Sequence, residues 1–111
     1  MTKLEELIEK LCPNGVEYKI LGDISCKISD GMHNLPKNIK SSGEYPILSA
    51  QNITNGNINI VTSKWVNHEI FERENKRNNV EKGDVLLTIV GAIGRTAVVK
   101  DNLKVLFQRS V

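Results

Sequence analysis

The sequence predicts an α+β fold, a mixed and mainly antiparallel twisted β-sheet with short peripheral helices. Three observations carry this. Only two stretches space their apolar residues as a helix does, one at the N-terminus and one after Trp65. Elsewhere, short apolar segments alternate with polar residues or run unbroken, as strands do. Each of these segments ends at a cluster of Gly, Asn, Asp or Pro, the residues that turns require. With 111 residues, 40% apolar and 25% charged, the composition is that of one ordinary globular domain. We divide it into an N-terminal helix and turn (1–14) and a β-rich body (15–111).

The elements follow in order. Leu4, Leu7, Ile8 and Leu11 recur at helical spacing, and Thr2 with Glu5 forms a capping-box pattern that satisfies the first amides of the helix. Pro13, Asn14 and Gly15 stop it. Val16 to Leu21 alternates as a half-buried strand, Gly22 and Asp23 turn, and a second strand is expected at Cys26 to Ile28. Asp30 to Gly43 has no sustained period and many turn formers, so it reads as a long exposed loop, a candidate contact surface. Tyr45 to Leu48 is a short strand. Asn55 and Gly56 form the turn of a hairpin whose second strand carries Ile58 and Ile60. Trp65 to Asn75 reads as the second helix, with Trp65 in the core. Val85 to Val90 is a continuous apolar run, expected as a central strand buried on both faces. Thr96 to Val99 and Leu103 to Phe107 complete an antiparallel set.

Composition excludes several functions. No apolar run approaches the ~18 residues of a membrane helix, and the N-terminus is amphipathic rather than a secretory leader, so a cytoplasmic address is expected. Cys12 and Cys26 form no CxxC pair and no metal spacing with His33 or His68. The glycines of VGAIGRTAVV are in GxxG spacing and precede a strand, so no helix N-terminus awaits a pyrophosphate. Neither HExxH nor GxSxG occurs, and no constellation for catalysis is present. A net charge of +2 permits a nucleic-acid partner without arguing for one.

Some residues fit two roles. Arg95, framed by Gly91 and Gly94 and followed by Thr96, can reach a phosphate or a guanine edge, or can simply decorate a solvated hairpin. Gln51 and Asn52 at a strand end can hydrogen-bond adenine, or cap turn amides. Lys76 and Arg77 end the second helix, where they complement its dipole or face phosphates.

Three strings in order, LCPNGVEYKILGDI (11–24), GEYPILSAQNI with NGNI (43–58) and VEKGDVLLTIVGAIGRTAVV (80–99), together with the closing FQRSV (107–111), resemble type I restriction-modification specificity subunits. The resemblance implies the N-terminal part of a target-recognition domain, one that reads one half of a bipartite double-stranded DNA site. It implies partner methyltransferase subunits that use S-adenosylmethionine, and a restriction subunit; catalysis belongs to those partners and no cofactor to this chain. In such an assembly the target adenine is flipped from the duplex by the methyltransferase. Lys37, Lys40, Lys76 and Arg77 are then candidate phosphate contacts, and Gln51, Asn52, Arg95, Thr96 and the 30–43 loop candidate base readers. A complete recognition domain of this kind continues beyond Phe107. The expected consequence is an unpaired strand edge through which the chain self-associates, and the alternative function is a truncated fragment that pairs with another specificity-subunit piece and binds little DNA alone.

Overall fold

The structure is a computed structural model describing residues 1–111. Helix α1 spans Lys3–Leu11, and its start is set by a reciprocal cap: Thr2 Oγ1 accepts from the Glu5 amide at 3.2 Å, and Glu5 Oε2 accepts from the Thr2 amide at 2.6 Å. Cys12 ends the helix, and Gly15 follows at φ +90°. The stripe of Leu4, Leu7 and Leu11 is nonetheless exposed, and none of residues 1–30 is buried.

The strands expected over 16–21 and 26–28 do not form. Leu21–Ile24 closes into a one-turn helix, α2, and Tyr18 and Ile20 are 94% and 74% exposed. Their alternation suits a strand, but a strand is completed by the amides and carbonyls of a neighbour, and none lies alongside.

The centre of the fold is a three-stranded sheet in the order β4–β1–β7. Strand β1 (Tyr45–Leu48) pairs antiparallel with β4 (Trp65–Val66) and parallel with β7 (Leu106–Phe107). Side chains alternate across a sheet, and this period sorts the core. Ile47 and Leu106 pack on one face with Met32, Val66, Ile70 and Phe71, the last two from helix α3 (His68–Asn78). Leu48 and Phe107 turn to the opposite face, against Ile53, Leu86, Ala97, Val99 and Val105.

That second face is covered by two hairpins. Strands β2 (Ile53–Thr54) and β3 (Asn57–Ile58) are joined by Asn55 and Gly56 at φ +38° and +86°, the positive angles a two-residue hairpin turn demands. Strands β5 (Val85–Leu87) and β6 (Thr96–Val98) form the other, and the Gly56 amide donates to the Thr96 carbonyl at 2.9 Å, which ties the hairpins together. The architecture is α+β, and every strand pairing except β1 with β7 is antiparallel.

Four further sequence expectations are corrected. Val85 to Val90 is neither central nor buried on both faces: β5 belongs to a two-stranded hairpin, so Leu86 and Thr88 are buried while Val85, Leu87 and Ile89 are exposed. The second helix begins later than Trp65, because Trp65–Val66 is claimed by β1 and Asn67 is a better start; its side chain accepts from the Ile70 amide at 2.9 Å. Leu106–Phe107 runs parallel to its neighbour. Finally, the strand edge beyond Phe107 is not open. Met32 lies along it, its amide donating to the Phe107 carbonyl at 2.8 Å and its carbonyl accepting from the Arg109 amide at 3.0 Å. The approach depends on Gly31, since a Cβ there would collide with the carbonyls of Phe107 and Gln108.

The 30–43 segment is therefore an irregular strap rather than a free loop. It covers the β7 edge at Met32 and the β4 edge at Lys40, whose amide and carbonyl exchange bonds of 3.0 and 2.9 Å with Trp65. No β-ladder completes it, and Lys37 and the side chain of Lys40 stay exposed.

Candidate nucleic-acid interface

Because β1 and β7 are parallel, their C-terminal ends lie together, and this end of the sheet collects the polar residues of interest. Beyond β1 come Ser49 and the 3-10 turn Ala50–Asn52; beyond β7 come Gln108, Arg109 and Ser110. Ser110 links them, its hydroxyl accepting from the Ala50 amide at 3.0 Å and its carbonyl from the Ile89 amide at 2.9 Å. The Ile89 contact brings the end of β5, the start of β6 and Arg95 to the same place. Gln51, Arg95, Thr96 and Arg109 are all exposed there.

Asn52 has a different role. It is 6% exposed, and its amide is engaged on both sides: Oδ1 accepts from the Ser49 amide at 2.9 Å, and Nδ2 donates to the carbonyls of Asn59 and Val61 at 2.7 and 2.8 Å. Of the two roles compatible with its sequence position, the structure shows the turn-capping one. It holds the β2–β3 hairpin and the chain after it to the sheet end on which Gln51 is displayed.

Arg95 is presented by a built loop. Thr88, at 0% exposure, directs its hydroxyl into the 89–95 connection, donating to the Ala92 carbonyl and accepting from the Arg95 amide at 2.8 Å. The Thr88 carbonyl accepts from the Gly94 amide at 2.9 Å, and its amide donates to the Arg95 carbonyl at 2.9 Å. A threonine in a strand's buried row thus serves as a staple for the turn. The Arg95 guanidinium reaches the Ile53 carbonyl at 3.5 Å, leaving most of its five donors free.

The lysine candidates lie elsewhere. Lys37 and Lys40 are on the strap at the β4 edge, across the sheet from β7. Lys76 and Arg77 occupy the last turn of α3, and Lys27 Nζ approaches the Arg77 carbonyl at 3.5 Å and Asn79 Oδ1 at 3.4 Å. These three cations sit where a helix C-terminus favours positive charge. The eight candidates therefore form a sheet-end group and two separate basic positions.

Three features escaped the sequence reading: Arg109, Thr88, and a segregation of charge. None of the 13 acidic residues lies within 45–68, 85–100 or 102–111, the segments that build the sheet and hairpins, whereas Lys64, Arg95, Lys100, Lys104 and Arg109 do. The total of +2 conceals this. Charge counted along segments, rather than summed, would have found it.

A groove of about 680 Å³ runs between the 21–31 segment and β5, with Leu21, Ile28, Val85, Leu87 and Phe107 in its walls. No three His, Cys, Asp or Glu side chains converge as a metal site, and no helix is long and apolar enough to cross a membrane.

No protein-family profile matches the chain, and no solved structure does. A stretch of 59 residues, 53% of the chain, is 37% identical to the specificity subunit of the EcoBI type I restriction enzyme of Escherichia coli. The match spans 12% of that subunit's length. Over about half its length, then, the chain is similar to a type I restriction enzyme specificity subunit.

Proposed function

We propose that this chain is a non-catalytic, sequence-reading module for double-stranded DNA, a part of a type I specificity subunit that directs partner methyltransferase and restriction subunits to one half of a bipartite site. The similarity to the EcoBI specificity subunit carries the reading. The sheet end supports it: Gln51 pairs a donor with an acceptor, as an adenine edge requires, Arg95 has the paired donors that suit a guanine edge, and Arg95 stands on a loop whose geometry is already set. Lys37, Lys40, Lys76 and Arg77 serve as phosphate contacts, which position a protein on the duplex without reading it. S-adenosylmethionine belongs to the methyltransferase partner.

The test is fluorescence anisotropy of a random-sequence duplex titrated with the chain at rising salt. If the four cations each neutralise one phosphate, log K falls against log salt with a slope of roughly −3.6. Saturable binding without salt dependence would refute the phosphate assignment.

A second reading has its own observation. Residues 1–30 bury nothing: Leu4 and Leu11 on helix α1, and Ile20, Leu21, Ile24 and Ile28 after it, are all well exposed, and Leu21 and Ile28 line the groove. So many exposed apolar side chains in one segment favour a chain that pairs with another piece of a specificity subunit before it binds DNA. Absence of duplex binding at tens of micromolar, together with co-purification of such a piece, supports this reading over the first.

A further inference from the structure

We propose that Ile93, at the tip of the β5–β6 connection, is an apolar wedge that enters a base step of duplex DNA while Arg95 engages the adjoining groove. The inference rests on the DNA-reading function proposed above and names how the sheet end engages the duplex. Ile93 is 76% exposed, and Ile89 and Val90 beside it are 47% and 50% exposed. Ile89 lines the groove, while Val90 and Ile93 set two branched apolar side chains on the surface of the loop, an arrangement that suits a wedge and that a solvated turn does not need.

The loop holds its shape without a ligand. Thr88 staples it through its hydroxyl to Ala92 and Arg95 and through its main chain to Gly94 and Arg95. Gly91 and Gly94, at φ +77° and +93°, allow the sharp reversals on either side of Ile93. A loop whose backbone is already shaped before binding loses little freedom on insertion. Arg95 follows it by two residues, the Ile89 amide ties the loop's first residue to the Ser110 carbonyl beyond β7, and segments 45–68, 85–100 and 102–111 contain no acidic residue. An apolar wedge followed by an arginine, on strands that carry no acidic side chain, is matched to a polyanion whose stacked bases are apolar, and proteins that kink DNA combine these same parts. Pyrimidine–purine steps unstack most easily, so the wedge selects them.

The experiment uses the full chain and a duplex rich in TA steps, one adenine replaced by the fluorescent base 2-aminopurine, beside a matched duplex lacking pyrimidine–purine steps. Saturating protein is expected to raise the 2-aminopurine emission severalfold as the step opens. Ile93→Ala is expected to abolish that rise and weaken binding to the TA duplex by about ten-fold, with the salt slope unchanged, while Ile93→Leu retains both. Because Ile93 is exposed, its variants should melt with the wild type, which separates a wedge from a folding defect. Wild-type binding with no emission change, or Ile93→Ala binding the TA duplex as tightly as wild type, overturns the wedge and leaves DNA reading intact. No duplex binding by the wild type at all overturns the parent reading, and the wedge with it.

Discussion

Replacing Asn52 with alanine removes three hydrogen bonds together, one accepted from the Ser49 amide and two donated to the carbonyls of Asn59 and Val61. A typical intramolecular bond contributes about 1 kcal/mol net, and stranding a buried partner costs about 1–3 kcal/mol. The surroundings are part-buried, so water will rescue some of the stranded groups. The expected loss is ~2–4 kcal/mol, a large share of the ~5–15 kcal/mol that holds a typical domain folded. For a chain of this size that lowers the melting temperature by roughly 10–25 °C. Thermal and urea unfolding followed by far-UV circular dichroism and Trp65 fluorescence measure it. Gln51→Ala next door is the control: its side chain is exposed, so stability should change by less than about 0.5 kcal/mol while DNA preference changes. An Asn52→Ala protein that melts with the wild type but loses sequence preference would refute the structural role and return Asn52 to the base-reading set.

Gly31→Ala forces a Cβ into the Phe107 and Gln108 carbonyls and should lower stability by ~2 kcal/mol or more in urea titrations; an unchanged midpoint would mean that the strap does not hold the β7 edge. Thr2→Ala removes the α1 cap, costing that helix about 1 kcal/mol. Since α1 buries nothing, helical ellipticity should fall while the main unfolding transition stays where it was, and a shifted transition would show that α1 is part of the cooperative unit. Arg95→Ala should relax preference at one base position by about 1–3 kcal/mol, whereas Lys76→Ala should weaken all sequences alike and reduce the salt slope by about 1. Equal losses on every sequence from both changes would remove the distinction between reader and phosphate contact.

The elements legible in the sequence are those whose causes lie within a few residues. Thr2 and Glu5 cap α1 across one turn, Pro13 to Gly15 ends it, and Asn55–Gly56 makes the β2–β3 hairpin because those two residues accept the angles it needs. The glycines around Ile93 and the strand after Arg95 were readable for the same reason. At the site, Gln51, Arg95 and Thr96 could be picked as polar residues at strand ends, but whether Asn52 joined them could not, because its partners Asn59 and Val61 lie seven and nine positions further along a chain that must first turn back.

What only the tertiary structure decided depends on neighbours distant in sequence. Val16 to Leu21 has the alternation of a strand and Val85 to Val90 the composition of a central one, yet the first finds no ladder and the second finds one partner, so neither pattern reaches the burial it advertises. Alternation states which side chains share a face; it does not supply a neighbour to bury them against. The parallel pairing of Ile47 with Leu106, the closure of that edge by Met32 and the need for glycine at 31 all arise from segments that meet only when the chain is folded. Local hydrogen bonds were therefore written in the sequence, while pairing, burial and the gathering of Gln51, Arg95 and Arg109 at one end of the sheet were set by which strands came to lie side by side.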